Sequence, residues 1–495
     1  MRYTKSNPAR PFDAGPRISR RAALQMGAAS MLAAFTGCRT LPAGVSAEPT
    51  DLHLASATEL ARLLRQRKVS ATELCRSTIA RIERLDAQVN AVVVRDFERA
   101  LSDARAADAA LARGVDLPLL GIPMTVKESF NLQGHPTTSG VRERLSNVAR
   151  SDAEVVRRAK AAGALVLGKT NVPVRLRDFQ SFNPIYGRTG NPYLPSHSPG
   201  GSSGGSAAAI AMGFSALEIG SDFGGSIRVP AGFCGVYGLK TSFGTVSSIG
   251  HGFDTDAWSV PTSMQVIGPI ARSPADILLL LGVIAGPDAG MPATSLVFET
   301  PRPQKLSDYS VFMLDDHPSA QLSTSILAAL QDVERMLIAS GATVTRDSDR
   351  LPDLAEGART FLTFLSGPVG ELSASDWDAV LTRQAQFRRR WAAFFEHFDV
   401  VLAPVYATNA FPHDETPVET RSIDINGSRR SFRDQIAWCS MASLGKLPAA
   451  VAPVGVDRDG LPIGVQVIAR YMGDLTAVHF ASLIAREIPP PKLAA

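Results

Sequence analysis

Ser198-Pro-Gly-Gly-Ser202-Ser203-Gly-Gly-Ser206 and Gly220-Ser-Asp222-Phe-Gly-Gly-Ser226-Ile-Arg228-Val-Pro230 are the two most informative stretches of this sequence. Each combines a glycine pair with serines, and Ser202 and Ser226 are 24 residues apart. Glycine permits positive φ and close backbone approach, so successive N–H groups can point at one spot. An oxyanion hole beside a serine nucleophile requires that geometry. The Ala-rich segment Ser206–Met212 predicts a small-residue helix packed close to a sheet.

A serine nucleophile needs a base, and neither stretch contains a histidine. The best candidate is Lys127, which ends the apolar run Gly121-Ile-Pro-Met-Thr-Val-Lys127. Burial would lower the pKa of this lysine towards neutrality and allow it to accept a proton. Alone, Lys127 would be interpreted as a surface lysine and each Ser-Gly cluster as a flexible turn, so the hypothesis depends on their combination.

Helix and strand patterns alternate along the chain, which predicts an α/β class layered around one mixed sheet. Ser56 and Ser70 each begin a capping box, with Glu59 and Glu73 three residues later, and a third Ala-rich helix is predicted near 96–112. Further helices are predicted at Val155–Ala162 and Ser325–Ser340. Strands are predicted at Ala164–Leu167, Ala342–Thr345, Val400–Pro404 and Gly464–Ile468.

Taken together, these features resemble the amidase signature family. The resemblance covers about 55–485 and is densest within 120–275. Its segments are Gly121–Lys127, Gly168–Asn171, Tyr186–Pro192, Gly200–Ser206, Asp222–Pro230, Phe233–Lys240, Gly268–Ser273 and Asp459–Gln466. It implies a mixed central β-sheet covered by helices on both faces, in a single domain over 48–495 with its core at 120–275. It also implies hydrolysis of a small-molecule carboxylic amide to an acid plus ammonia or an amine, without cofactor or metal.

The same resemblance assigns roles to individual residues. Ser226 is the expected nucleophile that forms the acyl-enzyme, Ser202 the bridging serine on a cis peptide bond, and Lys127 the base. The backbone N–H groups expected to hold the oxyanion are those of Phe223, Gly224, Gly225 and Ser226. The residues expected to support this site are Ser203, Asp222 and Arg228.

Three departures from the family pattern bear on the substrate rather than on the three catalytic candidates. Glu128 stands where the family usually has Asp, and Val174 stands where an acidic residue is common. Leu444-Gly-Lys-Leu-Pro448 lacks the usual Asn/Thr character. The stretch Leu351–Phe395 is a candidate pocket for an apolar or aryl group, with plain helix packing as an equally good interpretation of its aromatic residues: Phe361, Phe364, Phe387, Trp391, Phe394 and Phe395.

Other motif matches are rejected on physical grounds. Gly163–Thr170 fits the P-loop pattern, but its interior, Ala-Leu-Val-Leu, is a strand rather than a flexible loop. Gly200–Gly204 fits GxSxG, but Pro195-Ser-His-Ser-Pro199 precedes it instead of an apolar strand. Ser443–Lys446, Ser181–Asn183 and Lys240–Ser242 imitate the β-lactamase motifs in a scrambled order.

Composition limits the remaining function classes. The chain has 495 residues, of which 45% are hydrophobic and 20% charged, so a large core can form. Its four cysteines form no CxxC pair, and its eight histidines form no HExxH motif, which argues against a disulfide framework and a metal hydrolase. The net charge of +4 arises from seven basic residues within 1–47; residues 48–495 carry 44 basic and 46 acidic side chains. No basic excess therefore remains there for binding nucleic acid.

Residues 1–47 are predicted to be an export signal and linker. Ser19-Arg20-Arg21 followed by an Ala-rich apolar stretch to Phe35 resembles a twin-arginine signal, and it is too weakly apolar for a membrane span. Val45-Ser46-Ala47 fits cleavage and a soluble periplasmic product, which is the favoured outcome. Phe35-Thr36-Gly37-Cys38 resembles a lipobox, so a lipoprotein anchored at Cys38 is the alternative.

Two other functions compete with a stand-alone exported amidase. The amide-nitrogen donor subunit of a tRNA-dependent amidotransferase shares the same signature, but an export signal argues against it because charged tRNA is cytoplasmic. A catalytically inactive binding protein would be expected to have lost one of the three catalytic candidates, and all of them are present.

Overall fold

One 11-stranded β-sheet runs through the computed structural model of this chain, which describes residues 51–252, 264–288, 296, 298, 300–301, 303–366 and 372–493. The predicted export signal, linker and Cys38 lie outside these residues. The strands of the described residues are β1 Val92–Arg95, β2 Pro123–Lys127, β3 Leu165–Thr170, β4 Phe182–Asn183, β5 Gly187–Arg188, β6 Leu217–Asp222, β7 Tyr237–Lys240, β8 Val266–Ala271, β9 Ser310–Met313, β10 Thr343–Thr345, β11 Val400–Pro404, β12 Ser422–Ile425, β13 Ser428–Ser431, β14 Ala449–Val456 and β15 Pro462–Ala469. Two pairs, β4 with β5 and β12 with β13, form separate two-stranded sheets, and the other strands form the large sheet.

The sheet is mixed, and its strand order is β1-β3-β2-β6-β8-β7-β14-β15-β11-β9-β10. Strands β3, β2 and β6 are parallel neighbours, whereas β6 pairs antiparallel with β8. The strands nearest the middle of the sheet are buried along their whole length, which explains their continuous apolar sequences. The predicted α/β class with one mixed central sheet is therefore confirmed.

The helices of the described residues are α1 Ala57–Arg65, α2 Ala71–Val89, α3 Phe97–Ala112, α4 Glu154–Ala161, α5 Gly204–Ala211, α6 Arg228–Phe233, α7 Pro274–Ile284, α8 Thr324–Ala339, α9 Leu354–Ser366, α10 Ala374–Phe394, α11 Ala437–Leu444 and α12 Asp474–Glu487. Helices α2, α3, α5, α6, α7, α8 and α12 pack against the sheet, and α9, α10 and α11 contact one another. The helices and strands predicted from the sequence are all present, within a few residues of their predicted ends. No helix in the described part of the chain combines the length and the apolar character needed to cross a membrane.

Only one of the two predicted capping boxes is complete. At the start of α2 the Ser70 side chain accepts from the Glu73 N–H, and the Glu73 carboxylate accepts from the Ser70 N–H. At the start of α1 the Ser56 side chain accepts from the Glu59 N–H, but the Glu59 carboxylate pairs with Arg62 instead. An arginine one turn along the helix competes successfully for that carboxylate.

Helix α5 contacts the sheet closely because of its small residues. All eight of its residues are buried, and it contacts β2, β3, β6 and β8. A Cβ on Gly205 would lie 2.4 Å from the backbone nitrogen of Asn171, so a larger residue would push the helix away from the sheet. This close contact holds the segment Gly200–Ser203, just before α5, beside the ends of β2 and β6.

Candidate active site

Two neighbouring parallel strands bring the candidate base to the second Ser-Gly stretch. Strand β2 ends at Lys127, and β6 ends at Asp222. Thr125 pairs with Glu218 and Val126 with Ile219, so both strands end at the same edge of the sheet. Crevices at the carboxyl ends of parallel strands are the usual place for ligands in α/β proteins.

Lys127 is fully buried and surrounded by hydroxyl groups. Its Nζ lies 2.7 Å from the Ser202 Oγ, 2.9 Å from the Ser221 Oγ and 3.5 Å from the Ser221 carbonyl oxygen. Burial lowers the pKa of Lys127 to about 7, although the nearby carboxyls of Asp222 and Glu218 act in the opposite direction. The direction agrees with the prediction from the sequence, and a pKa near neutrality would allow Lys127 to accept a proton.

Ser202 is buried, and the peptide bond between Gly201 and Ser202 is cis, as the family resemblance implies. The backbone next to it is tightly enclosed, because a Cβ on Gly201 would lie 2.3 Å from the carbonyl oxygen of Asp178 and 2.5 Å from that of Gln180. Only glycine fits at this position, so the segment is fixed in front of Lys127.

Ser203 ties the two Ser-Gly segments together. Its backbone N–H donates to the Ser226 carbonyl oxygen at 3.1 Å, and its hydroxyl donates to the Ser221 carbonyl oxygen at 3.4 Å. Ser226 and Phe223 are half-buried, whereas the other residues of Ser221–Pro230 are buried. Solvent and ligands can therefore reach Ser226. Its hydroxyl makes no hydrogen bond to the described residues, so the Ser202 and Ser226 hydroxyls are not bonded to each other in this structure.

The backbone around Gly225 differs from the predicted oxyanion hole in one respect. The Gly225 N–H donates to the Asp222 Oδ1 at 2.9 Å and is therefore occupied. Within the described structure, the N–H groups of Phe223, Gly224 and Ser226 have no hydrogen-bond acceptor. The site consequently offers three free donors rather than four, because Asp222 folds this loop by capturing the third N–H.

Asp222 and Arg228 form a fully buried ion pair behind this loop. The guanidinium contacts the carboxylate with two nitrogens, each at 3.0 Å. Burial raises the pKa of Asp222, but the Arg228 guanidinium outweighs this effect, and the pKa falls to about 2. The Asp222 carboxylate also accepts from the Gly225 and Ile227 N–H groups. This pair is therefore the support of the loop, in agreement with the expected supporting role.

Sequence reasoning missed several residues around these groups. Ser221 lay inside the second stretch, but only the pairing of β2 with β6 shows that its hydroxyl contacts Lys127. Gln466 lies in another family segment and accepts from Arg228 at 2.8 Å. The Ser443 hydroxyl accepts from the same guanidinium at 2.9 Å. No local pattern predicts these last two contacts, because the partners are more than 200 residues apart in the chain.

The residues that depart from the family pattern lie around the site rather than in it. The Glu128 carboxylate accepts from the Thr138 N–H and hydroxyl and from the Ser139 N–H, at 2.7–2.8 Å, which fixes a neighbouring loop. Val174 is exposed. Lys446 lies 4.1 Å from the centre of the Phe243 ring. None of these side chains contacts Lys127, Ser202 or Ser226.

The aromatic side chains named in the stretch Leu351–Phe395 take part in packing, and none of them lines the cavity next to it. Phe361 packs near Phe223, with ring centres 5.8 Å apart, and a Cβ on Gly224 would lie 2.9 Å from it. Phe387, Trp391 and Phe394 are instead buried against one another in helix packing. A cavity of about 220 Å³ is lined by Ser319, Ala358, Arg359, Leu362, Asp434, Ile436 and Ala437. Its lining residue Ile436 packs close to Gly224, since a Cβ there would lie 3.0 Å from the Ile436 side chain.

The segments that match other motifs do not have the structures that those motifs require. Gly168-Lys169-Thr170 lies within strand β3, which confirms that it is not a phosphate-binding loop. No strand precedes Ser202 directly, as a nucleophile elbow would require. Among the described residues, no three His, Cys, Asp or Glu side chains are grouped so that they could hold a metal ion.

The site combines a buried lysine, a serine on a cis peptide bond and a glycine-rich serine loop at the edge of a mixed sheet. These features are those of a class of amide-hydrolysing enzymes, and comparison with known proteins places the chain in that class. The sequence model of the Amidase family matches residues 73–367 and 370–478, and the chain belongs to this family. It is an amidohydrolase.

Individual relatives span nearly the whole chain. The Mycobacterium tuberculosis protein named Putative amidase AmiB2 is 32% identical over 469 residues, covering 89% of this chain and 98% of the relative. One subunit of the glutamyl-tRNA(Gln) amidotransferase of Acinetobacter baumannii is 33% identical over 494 residues, covering 87% of this chain and 96% of the relative. Among solved structures, 6-aminohexanoate cyclic dimer hydrolase has a TM-score of 0.74 at 25% identity, covering 90% of this chain and 99% of that one.

Proposed function

We propose that this protein is a stand-alone amidase that hydrolyses a carboxylic amide to an acid plus ammonia or an amine. Ser226 is the nucleophile, and Ser202 and Lys127 are its proton relay. The observation that carries the proposal is the 2.7 Å contact between the buried Lys127 Nζ and the Ser202 Oγ. A lysine with a pKa of about 7 can take a proton from a serine, and a fully charged surface lysine cannot.

The reaction begins when neutral Lys127 takes the proton of Ser202, while Ser202 takes the proton of Ser226. The Ser226 Oγ attacks the amide carbon, and the N–H groups of Phe223, Gly224 and Ser226 stabilise the oxyanion. The proton returns through Ser202 to the leaving nitrogen, which departs as ammonia or an amine. Water then hydrolyses the ester of Ser226 by the same relay and releases the acid.

One link of this relay has to form during the reaction, since the hydroxyls of Ser202 and Ser226 are not hydrogen-bonded in the structure. Catalytic hydrogen bonds often tighten only when substrate is bound. The exposure of Ser226 and the bond from the Ser203 N–H to the Ser226 carbonyl oxygen support this step, because they hold the nucleophile beside the relay while leaving its hydroxyl unengaged.

Replacement of single serines tests the assignment. Ser226→Ala should abolish both amide turnover and labelling by a fluorophosphonate, with little change in stability because only one oxygen is lost. Ser202→Ala should leave slow labelling at Ser226, and Ser146→Ala, at an exposed position, should change neither. If Ser226→Ala is active while Ser202→Ala is inactive and unlabelled, Ser202 is the nucleophile.

Turnover should also survive EDTA, because the proposed mechanism uses no metal ion. Inhibition by EDTA that added zinc reverses would contradict the metal-free mechanism.

The second candidate function is the amide-nitrogen donor subunit of a tRNA-dependent amidotransferase, which is favoured by the 33% identity to a component of one such enzyme. The two functions make different predictions for the isolated chain. A stand-alone amidase hydrolyses simple amides without partners. A donor subunit would purify with partner proteins and would need them, together with charged tRNA, for amide-nitrogen transfer.

We also propose that the enzyme is exported to the periplasm. The support is the Arg20-Arg21 pair followed by an Ala-rich apolar stretch in the sequence. A lipoprotein anchored at Cys38 is the alternative destination. Metabolic labelling with a palmitate analogue, compared between the wild type and Cys38→Ser, distinguishes the soluble form from the tethered one.

A further inference from the structure

A second buried carboxyl, Glu218, lies near the base and has no part in the mechanism above. It belongs to strand β6 and pairs with Thr125 of β2, two residues before Lys127. The side chain of Glu218 is fully buried. Its carboxyl contacts three hydroxyls: those of Thr125, of Thr170 at 3.3 Å and of Ser206 at 3.2 Å.

The surroundings of Glu218 differ in kind from those of Asp222, which lies four residues further along the same strand. Asp222 is held by a guanidinium and by backbone N–H groups, which can only donate, so it is fixed as an anion. Hydroxyls can donate or accept by rotating, so the three around Glu218 accommodate either a carboxylate or a carboxylic acid. Glu218 has no ion pair among the described residues.

The charged groups that face Glu218 are few. Lys127 of β2 and Asp222 of β6 lie on the same face of the sheet as Glu218. Lys169 of β3 lies on the other face, since its neighbour Thr170 contacts Glu218 and its own Nζ donates to the Pro136 carbonyl oxygen and the Thr137 hydroxyl. Helix α5 and strand β8 contain no titratable side chain. Asp222 is already neutralised by Arg228, so among the residues that the structure describes Lys127 is the group that can exchange charge with Glu218.

We propose that Glu218 is a positioning residue for the base: it shares one proton with Lys127 and thereby sets the pH at which Lys127 can accept the proton of Ser202. Two states with the same total charge exist. Neutral Lys127 beside protonated Glu218 is ready to act, and protonated Lys127 beside ionised Glu218 is blocked. Burial raises the pKa of Glu218 to about 8, so the two groups titrate in the same pH range and as a pair.

Glu218→Gln tests this proposal, which rests on Lys127 being the base as proposed above. The amide matches the carboxyl in size; its oxygen can accept from Thr170 and Ser206, and its NH2 can donate to Thr125. Ionised Glu218 raises the pKa of Lys127, and glutamine carries no charge. The acid limb of the pH profile should therefore move to lower pH, by up to roughly half a unit, because Glu218, whose pKa of about 8 is the higher of the two, is only partly ionised in that range.

The measurement is the second-order rate of Ser226 labelling by a fluorophosphonate between pH 4.5 and 9, which needs no knowledge of the substrate. Asp474→Asn is the matched control, because Asp474 is also fully buried and is bonded to Ser242 rather than to the base. Its acid limb should coincide with that of the wild type. A purely structural role for Glu218 would lower the rate at every pH without moving the limb.

An unmoved limb in folded Glu218→Gln would overturn the inference. If that variant does not fold, Ser206→Ala takes its place. Loss of the Ser206 hydroxyl removes one hydrogen bond that stabilises the ionised form of Glu218, so the acid limb should move in the same direction but by less. An unmoved limb in Ser206→Ala would refute the proposal equally. Lys127→Ala separates this failure from failure of the proposed function. If Lys127→Ala is still labelled by the fluorophosphonate and its acid limb coincides with that of the wild type, Lys127 is not the base.

Discussion

Arg228→Met removes the buried partner of Asp222 and should strongly destabilise the fold. The side chains of both residues are fully buried, and the guanidinium also donates to the Cys439 carbonyl oxygen, the Gln466 side chain and the Ser443 hydroxyl, at 2.8–2.9 Å. In the variant, the Asp222 carboxylate keeps only its backbone N–H donors. Removing one partner of a buried ion pair typically costs about 3–5 kcal/mol because it leaves an uncompensated charge.

That loss is large compared with the total stability of a folded domain, which is about 5–15 kcal/mol. The free energy of unfolding is measured from urea titrations followed by circular dichroism, at pH 7. Arg346→Met is the matched control: Arg346 pairs with Asp315 and Glu334 at a partly exposed site, where an ion pair contributes about 1 kcal/mol or less. Asp222→Asn combined with Arg228→Met should recover part of the loss, because no charge then remains unpaired.

A loss of stability in Arg228→Met no larger than that in Arg346→Met would contradict this prediction. So would a double variant that loses the sum of the two single losses, since residues in one network should couple by about 0.5–3 kcal/mol. Fluorophosphonate labelling of folded Arg228→Met should also slow, because the Gly225 N–H is held by the same carboxylate.

Three further predictions concern catalytic activity and export to the periplasm. The kcat/KM for an amide should fall about tenfold per pH unit below 7, because Lys127 with a pKa of about 7 becomes protonated; a pH profile flat to pH 5 would contradict this. Gly225→Ala should slow labelling by roughly a hundredfold or more, since its φ is +118° and a Cβ would lie 2.6 Å from the Cys439 Sγ, whereas Gly460→Ala, in open space, should not. Arg20→Lys with Arg21→Lys should leave active enzyme in the cytoplasm, and undiminished periplasmic activity after fractionation would rule out twin-arginine export.

Features that depend on neighbours in the chain were predictable. The helix at α5 follows from a run of small residues, and the complete cap of α2 from a serine and a glutamate three residues apart. The strand ending at Lys127 follows from an apolar run that stops at a charge. Family resemblance added the cis bond at Ser202, which no local pattern indicates.

Features that depend on distant segments, or on where a side chain turns, were not predictable. The sequence predicts four N–H donors for the oxyanion in the segment Phe223–Ser226. Three of them are free in the structure, because the Asp222 carboxylate accepts from the Gly225 N–H. Both interpretations of the aromatic stretch were open from the sequence, since only the packing shows that Phe361 and Trp391 are both buried and that Phe361 lies against Phe223.

The sequence by itself determined the α/β class, the positions of the serines and glycines, and the lysine available to them, because these depend on residue type and on spacing of a few residues. Only the tertiary structure decided the chemistry of that lysine. The pairing of β2 with β6 buries Lys127 and places Ser221 and Glu218 beside it, and the packing of α5 against the sheet brings Ser202 to its Nζ. The free energy of a charge depends on the solvent and the partners that surround it, and these come from segments up to about 90 residues away in the chain.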